Sequence, residues 1–261
     1  MRNQYLLLLS LVFVVVACQK EVNDFDATPP PGDCLLTRIV QGTGIDDSVF
    51  IIKYDAQKRI AVLIDSSYSD TLTPTYSGNN KYPDFYGFLS GGGFGFKYNP
   101  VGKVIEVEGL GNKTTMQYAA GDQLSVAASF YLNINTWEPT WNYTFAHDAA
   151  GNLTKFEEFN PSNASQGVWQ ITYTDIPNPF GDLAYYNYGN FLGMDDIFPA
   201  YMFIHQSKLL PKTIQNGGLS YEISYGLNTQ GKVVTSIARL RNMTNNNIEF
   251  TATRHYYYSC P

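Results

Sequence analysis

One pattern recurs along this chain and limits what it can fold into. An alternating apolar strand ends in an aromatic residue, a tight turn opened by Asp or Asn follows, and a second strand begins. A side-chain oxygen at the first turn position can cap the turn, and glycine at the fourth supplies the left-handed conformation of a type I turn with a G1 bulge. Alternation with a period of two on both sides predicts antiparallel hairpins and an all-β protein. The first and fourth positions of the clearest copies are Asp55 and Lys58, Asn99 and Gly102, Asp148 and Gly151, and Asn228 and Gly231.

Weaker copies of the pattern extend it. Residues 117–124 form a degenerate fifth hairpin, and Trp169-x-Ile171-x-Tyr173 predicts a further strand without the turn. Lys58 stands where the other copies have glycine, so we expect that turn to be strained or differently shaped. The spacing between copies is irregular, which argues against a strict solenoid.

These hairpins resemble the YD-type repeats of RHS proteins and, more closely, uncharacterised Bacteroidetes lipoproteins built from such units. The resemblance rests on Tyr54-Asp55, on the Pro177-Asn178-Pro179-Phe180 element, and on the terminal strand from His255 to Cys260. It covers most of residues 34–261. It implies a large, strongly curved antiparallel sheet, open or closed into a barrel, and assigns no activity.

The segment from Asp175 to Thr213 interrupts the hairpins with many aromatic rings among Asn, Gly and Pro, which predicts loops or short helices laid against the sheet. The rings either complete the core or form a stacking platform for a glycan or another flat ligand. Trp137 and Trp141 either extend that platform or pack. The residues we expect at a ligand site are Tyr185, Tyr186, Tyr188 and Tyr201.

The N-terminus carries an export signal. Arg2 precedes an apolar run that ends in Val15-Val16-Ala17-Cys18, so residues 1–17 predict a signal peptide. The site resembles the lipobox of bacterial lipoproteins, which implies acyl chains on Cys18 as the membrane anchor. Residues 18–33 then form a proline-containing tether, and the Gln19-Lys20-Glu21 run is similar to surface-export signals of Bacteroidetes lipoproteins. We therefore expect an outer-membrane protein that faces the cell exterior.

Two further cysteines, Cys34 and Cys260, bound the predicted single domain of residues 34–261. In an oxidising compartment they predict a disulfide between the first strand and the last, and the alternative is two separate thiols.

Composition narrows the function classes. The net charge of −6 and the absence of clustered Lys or Arg in the sequence exclude nucleic acid as an expected partner. The sequence contains no hydrolase elbow, zincin motif, Walker loop or EF-hand loop, and it predicts no cofactor and no metal. The glycine-rich run 91–95 lacks the Lys-Ser/Thr of a phosphate loop and predicts a turn. Charges on the second strand face argue against a membrane-spanning barrel.

Two short patterns, Asp47-Ser48-Val49 and Asp70-Thr71-Leu72, look like Bacteroidetes O-glycosylation acceptors, with Ser48 and Thr71 as the modified residues. The alternative is an ordinary turn and strand edge.

Three function classes remain. The first is a ligand-binding or glycan-binding surface lipoprotein, and the second is a structural or protein-interaction module of the outer membrane. The third is an enzyme with a site near His205, the histidine that lies outside the repeats; His147 and His255 occupy strand positions.

Overall fold

The computed structural model describes residues 34–42, 48–66, 70–80, 82–120, 122–180, 204 and 207–260. Every regular element in these ranges is a β-strand, as the hairpin pattern predicts. The strands are β1 Leu35–Gly42, β2 Ser48–Tyr54, β3 Ile60–Asp65, β4 Asp70–Thr75, β5 Phe85–Phe88, β6 Gly93–Tyr98, β7 Val104–Gly109, β8 Asn112–Tyr118, β9 Leu124–Asn133, β10 Thr136–His147, β11 Leu153–Phe159, β12 Ser165–Pro177, β13 Leu209–Asn216, β14 Leu219–Leu227, β15 Val233–Asn242 and β16 Ile248–Ser259.

Each strand pairs antiparallel with its neighbours in sequence, and β16 returns to pair with β1. The sheet is therefore a closed barrel of sixteen strands with up-and-down topology. Closure leaves no unpaired sheet edge. The strongly curved sheet expected from the sequence is confirmed, and of its open and closed forms the chain adopts the closed one.

The inner face of the barrel is an apolar core. Side chains such as Ile39, Phe156 and Ile214 are fully buried, and all sixteen strands contribute to one cluster, β4 through the partly buried Leu72. Aromatic rings cover the inside of β10 to β12: Phe145 lies 6.4 Å from Phe156, which stacks on Trp169 at 5.7 Å between ring centroids. The alternation read from the sequence places these residues inward.

Most charged side chains of the described strands lie on the outer face, whereas Arg254 on β16 and Asp65 on β3 are buried. Lys97 and Glu106 form an ion pair at 2.6 Å across β6 and β7, and Arg241 binds Glu222 at 2.8 Å across β15 and β14. Lys53 is exposed on β2 between the buried Ile52 and the inward Tyr54. Such exposed pairs add little stability, but they show which face of the sheet is polar.

At one end of the barrel, even-numbered strands finish and odd-numbered strands begin; we call it the turn end. In four of its turns the opening Asp or Asn carboxyl or amide oxygen accepts two backbone N–H groups, as Asp148 does from Ala150 at 2.9 Å and from Asn152 at 2.8 Å. The fourth position has positive φ, 88° at Gly151 and 61° at Lys58. Lys58 therefore keeps the turn shape at the cost of strain. The equivalent bonds run from Gln57 and Arg59 to Asp55, from Val101 and Lys103 to Asn99, and from Gln230 and Lys232 to Asn228.

A ring of tyrosines ties the turn end together. The tyrosine at or near the end of an even-numbered strand donates its hydroxyl to a backbone carbonyl at or near the start of the preceding odd-numbered strand, at 2.6–2.9 Å. Seven of the eight even-numbered strands follow this rule, and His147 takes the place on β10. The donors and acceptors are Tyr54 to Leu36, Tyr76 to Ile60, Tyr98 to Pro83, Tyr118 to Val104, Tyr173 to Leu153, Tyr225 to Pro211 and Tyr258 to Val233.

A disulfide between Cys34 and Cys260 occupies the eighth position of the turn end, where no hairpin turn can join β16 to β1. The two Cα atoms are 4.0 Å apart, just below the usual lower limit of about 4.4 Å. The bridge predicted from the sequence is present, and it covalently closes the barrel seam.

At the opposite end, which we call the tip end, short hairpins connect odd-numbered to even-numbered strands. Apolar side chains stand at the tips of several: Leu89, Leu110, Ile134 and Met243 are all exposed. Leu110 and Ile134 both have a φ of 52°, which is rare for residues with a Cβ and unusual for a β-branched one.

Candidate functional site

The structure tests only some of the site residues predicted from the sequence. Cys18, His205 and the four tyrosines Tyr185, Tyr186, Tyr188 and Tyr201 lie outside the described residues. Ser48 begins β2, and Thr71 is the second residue of β4; both are partly exposed. Their modification stays a prediction.

The two ends of the 175–213 segment are fastened to the turn end by a polar network around Asn152 and Ser207, both buried. The Asn152 side-chain oxygen accepts the backbone N–H groups of Lys208 and Leu209 at 3.0 and 3.3 Å. The Ser207 hydroxyl accepts the backbone N–H of Leu153 at 3.1 Å and lies 2.6 Å from the Tyr173 hydroxyl. These bonds join the return of the segment to the 148–152 turn.

The outgoing end of the segment is held by Asn178, which is also buried. Its amide nitrogen donates to the Ser207 carbonyl at 3.1 Å, and its backbone N–H donates to the Lys208 carbonyl at 2.8 Å. The stretch of chain that leaves the sheet after β12 and the stretch that returns before β13 are therefore hydrogen-bonded to each other. The Asn-Pro-Phe element singled out in the sequence acts as this clamp.

Phe180 continues from the clamp into the barrel. It is fully buried and stacks on Tyr256 with ring centroids 4.9 Å apart. Tyr256 is 2.7 Å from the Ser236 hydroxyl, and burial raises its pKa to about 12. Phe180 is thus an aromatic residue of the segment that belongs to the core, as one of the two interpretations of the segment requires.

Beside this clamp lies an open depression of about 430 Å³, lined by Tyr173, Asp175, Lys212 and Tyr225, among others. Its origin is an irregularity of the sheet. The pairing of β12 with β13 shifts register between Tyr173 and Pro177. The bulged residues widen the wall next to the point where the segment leaves and returns.

Titratable groups also gather at the turn end. Burial lowers the pKa of Lys103 to about 8, against a smaller opposing effect of Asp122. Burial lowers the pKa of His147 as well, so its imidazole is neutral near pH 7.

A second aromatic cluster lies on the β9–β10 hairpin at the tip end. Tyr131 donates its hydroxyl to Glu138, and Asn133 donates to the other carboxylate oxygen at 2.6 Å. These hydrogen bonds, that of Tyr131 first, hold the pKa of Glu138 below its usual range. The register places Tyr131, Glu138 and the exposed Trp141 on the face that carries the buried Tyr143.

The other face of the same hairpin carries Trp137 beneath the Lys113 ammonium, 4.4 Å from the ring centroid. The sequence shows the two tryptophans, but Tyr131 and Glu138 are brought beside them only by strand register. No signal in the sequence marks that pairing.

The glycine-rich run 91–95 is confirmed as a turn leading into β6. A Cβ at Gly93 would come within 2.0 Å of the Tyr86 carbonyl and 2.4 Å of the Phe85 ring. The glycines therefore let an aromatic ring cover the strand.

Among the residues that the structure describes, no group of three or more His, Cys, Asp and Glu side chains is placed to hold a metal ion. A search of the same residues finds no helix with the length and apolarity to cross a bilayer.

Comparison with known proteins shows similarity in structure. A porin-like protein from Bacteroides uniformis is similar over 86% of this chain and 98% of its own, with 12% identity and a TM-score of 0.58. A porin-like protein from Bacteroides vulgatus covers the same shares at 13% identity and a TM-score of 0.45. A TcdB2–TccC3–Cdc42 structure matches 84% of this chain and 12% of its own, with 16% identity and a TM-score of 0.35.

No family model and no curated protein matches the sequence. The first similarity supports the barrel fold, and the two with TM-scores below 0.5 carry no argument.

Proposed function

We propose that this chain is a cell-surface lipoprotein of the outer membrane whose barrel binds a glycan or another flat ligand in or beside the 175–213 segment. The observation that carries the proposal is the construction at the root of that segment. Both of its ends are clamped through Asn178 and Ser207, and an open depression adjoins them. A long segment held on a rigid base is free to carry specificity.

The lining of the depression suits such a ligand. Its lining includes Tyr173 and Tyr225, which are partly buried against the core, and Asp175 and Lys212, which can serve as an acceptor and a donor for hydroxyl groups. In the sequence, Tyr185, Tyr186, Tyr188 and Tyr201 fall between the two clamp residues Asn178 and Ser207.

The barrel's interior argues against a channel. A porin lumen is polar and filled with water, and its outer wall is an apolar band. In this chain, mainly apolar side chains pack inside, with the buried Arg254 and Asp65 as charged exceptions, and ion pairs such as Lys97 with Glu106 lie outside. The likeness to the porin-like protein from Bacteroides uniformis therefore supports the fold alone.

A second candidate function is a structural or protein-interaction module of the outer membrane. The buried ring of Phe180 favours this function, because a ring that packs in the core cannot also stack on a ligand.

A glycan array followed by calorimetry on the full chain tests the first proposal. Tyr185→Ala/Tyr186→Ala should weaken binding at least about tenfold, since a stacked ring contributes roughly 1–3 kcal/mol. Tyr257→Ala, which removes an exposed ring from the outer wall, should leave binding unchanged. Binding that survives the double substitution would place the site elsewhere, and the absence of any glycan ligand would favour the interaction module.

A planar-bilayer recording tests the exclusion of a channel. We expect no stepwise conductance from the purified protein. Stable ion conductance would contradict the filled interior.

A further inference from the structure

The tip end presents isolated apolar side chains to solvent. Leu89 is 78% exposed at the β5–β6 tip, Leu110 57% at the β7–β8 tip, and Ile134 88% at the β9–β10 tip. These three hairpins are consecutive, and neighbouring tips approach closely: a Cβ at Gly92 would come within 2.8 Å of Leu110 Cδ2. On the other arc, Met243 at the β15–β16 tip is 50% exposed.

The same tips lack charge. Of the residues that the structure describes in the tip-end connections, none is Asp, Glu, Lys or Arg; they are 66, 89–92, 110–111, 134–135, 160–164, 217–218 and 243–247. The β1–β2 connection, which contains Asp46 and Asp47 in the sequence, lies outside the described residues.

The apolar residues at these turns carry two costs in free energy of folding. The turns Leu110-Gly111 and Ile134-Asn135 have positive φ at both positions, the geometry for which Asn and Gly are preferred. A left-handed conformation costs about 1–2 kcal/mol for a residue with a Cβ. Exposure of a large apolar side chain adds a hydration cost. A polar residue such as Asn at Leu110 or Ile134 would avoid both costs.

The side chains behind the tips follow a definite order along the β9–β10 hairpin. Ile134 stands at the tip, Trp137 pairs with Leu132 two levels behind it, and Tyr131 pairs with Glu138 one level further. Lys113, whose ammonium lies over Trp137, pairs with Phe130 at the next level. With about 3.3 Å per residue, the backbone positions from Ile134 to Lys113 span roughly 13 Å, and the Lys113 ammonium reaches back to the level of Trp137.

We infer that the tip end docks onto a lipid bilayer, with Leu89, Leu110 and Ile134 entering its interfacial region. The order of side chains is that of the bilayer itself: aliphatic side chains at the depth of the acyl chains, then Trp and Tyr in the headgroup layer, where the Lys113 ammonium over Trp137 also lies. Apolar side chains in such sites lie about 5–10 Å deep.

The predicted anchor is compatible with this orientation. The chain enters the barrel at Cys34, at the turn end, and residues 19–33 separate it from Cys18. Fifteen residues at about 3.1 Å each in a polyproline conformation span roughly 45 Å. A barrel wall of strands of 10–12 residues, tilted by about 40°, is about 25–30 Å high. The tether can therefore reach the bilayer on which the tips rest.

Native tryptophan fluorescence provides the test. Full-length protein is mixed with a large excess of phosphatidylcholine vesicles, with or without bromine atoms on the acyl chains near the headgroups. Brominated lipid should quench the emission, and Trp137→Phe should remove most of the quenched fraction. Because the described connections at the Leu89, Leu110 and Ile134 tips contain no charged residue, neither salt nor anionic lipid should change the result by much.

Leu110→Asn/Ile134→Asn should reduce the quenching at least about twofold, and this change suits the turns, so the variant should fold. The matched control is Val101→Asn, which removes an exposed apolar residue from the turn end and should not alter quenching. No quenching of the wild type, or equal quenching of wild type and tip variant, would overturn docking. So would chemical cross-linking that shows the tips of two copies in contact on the vesicles. Glycan binding is measured separately, so its failure is distinguishable from failure of docking.

Discussion

The two ends of the barrel are built from the same kind of hairpin, but they place different residues at their turns. At the turn end, Asp or Asn oxygens cap four turns, tyrosine hydroxyls bind backbone carbonyls, and a disulfide closes the seam. At the tip end, Leu110 and Ile134 occupy strained, exposed positions. The tip-end turn at Asn160 uses the same cap, with backbone N–H groups of Ser162 and Ala164 bound at 3.0 and 2.9 Å. The Asp or Asn cap can thus form at both ends, so its scarcity at the tip end indicates that other residues are retained there for another reason.

This difference indicates a division of roles. Each local interaction at the turn end lowers the free energy of the folded barrel, whereas Leu110 and Ile134 raise it. Proteins retain strain where a site needs it. Removing one of these turn-end interactions should therefore lower stability, whereas replacing Leu110 or Ile134 with a residue that suits its turn should raise it.

The largest effect is expected from the seam. Cys34→Ser/Cys260→Ser should lower the free energy of unfolding by about 3–5 kcal/mol, because the bridge closes a loop with a sequence separation of 226. Urea unfolding of the variant, compared with the wild type in reductant, measures it. If oxidised and reduced protein unfold at the same urea concentration, the seam does not depend on the bridge.

Tyr173→Phe should cost about 1–3 kcal/mol. Its hydroxyl is within 2.6 Å of both the Leu153 carbonyl and the Ser207 hydroxyl, and its loss leaves these partners buried without it. The control is Tyr257→Phe on the outer wall, which should change stability little. If both substitutions lowered the free energy of unfolding equally, the hydroxyl of Tyr173 would not stabilise the turn end more than an exposed hydroxyl does.

Among the described even-numbered strands, His147 is the one position where the turn-end ring of tyrosines has no tyrosine, and a substitution can supply it. His147→Tyr should add about 1 kcal/mol if the new hydroxyl reaches the start of β9, as its seven counterparts do on their own strands. Burial lowers the pKa of His147 below its ordinary 6.5, so the unfolded chain binds the proton more tightly. Stability should then fall with pH below about 6.5 in the wild type, and less so in the variant. Matching pH profiles would show that His147 is not responsible.

Lys58→Gly should stabilise the protein by somewhat under 1 kcal/mol, because φ at this position is 61°. The converse substitution is Gly151→Ala, where φ is 88°, and it should destabilise by about the same amount. Thermal unfolding of both variants compares them. Loss of stability in Lys58→Gly would mean that the lysine side chain contributes more than the strain costs.

Local sequence signals are enough to predict part of this fold. The Asp148 and Asn99 turns are recognisable because the cap and the glycine lie within four residues, and alternation identifies the inward face. The disulfide follows from the position of the only cysteines beyond Cys18. These features depend on residues that are close in sequence, or on the number and position of the cysteines.

Other features depend on register between distant strands and leave no local signal. The Tyr118 hydroxyl meets a carbonyl 14 residues away, and Tyr131 meets Glu138 only across a hairpin whose turn is Ile134-Asn135. That turn was not predicted, since its first residue is β-branched. Closure of the sheet likewise has no local signal in the sequence, because it is set by total twist and strand number. The ligand site expected around Tyr185 and Tyr186 stays a prediction, as these residues lie outside the described part of the chain.

The most direct test of opposite roles for the two ends is the stability of Ile134→Asn in urea, without lipid. Asn suits the first position of this hairpin turn and avoids exposing an apolar side chain. We predict a rise of about 0.5–1 kcal/mol in the free energy of unfolding. A fall of similar size would contradict the account, because it would show that Ile134 stabilises the barrel and is not retained for contact.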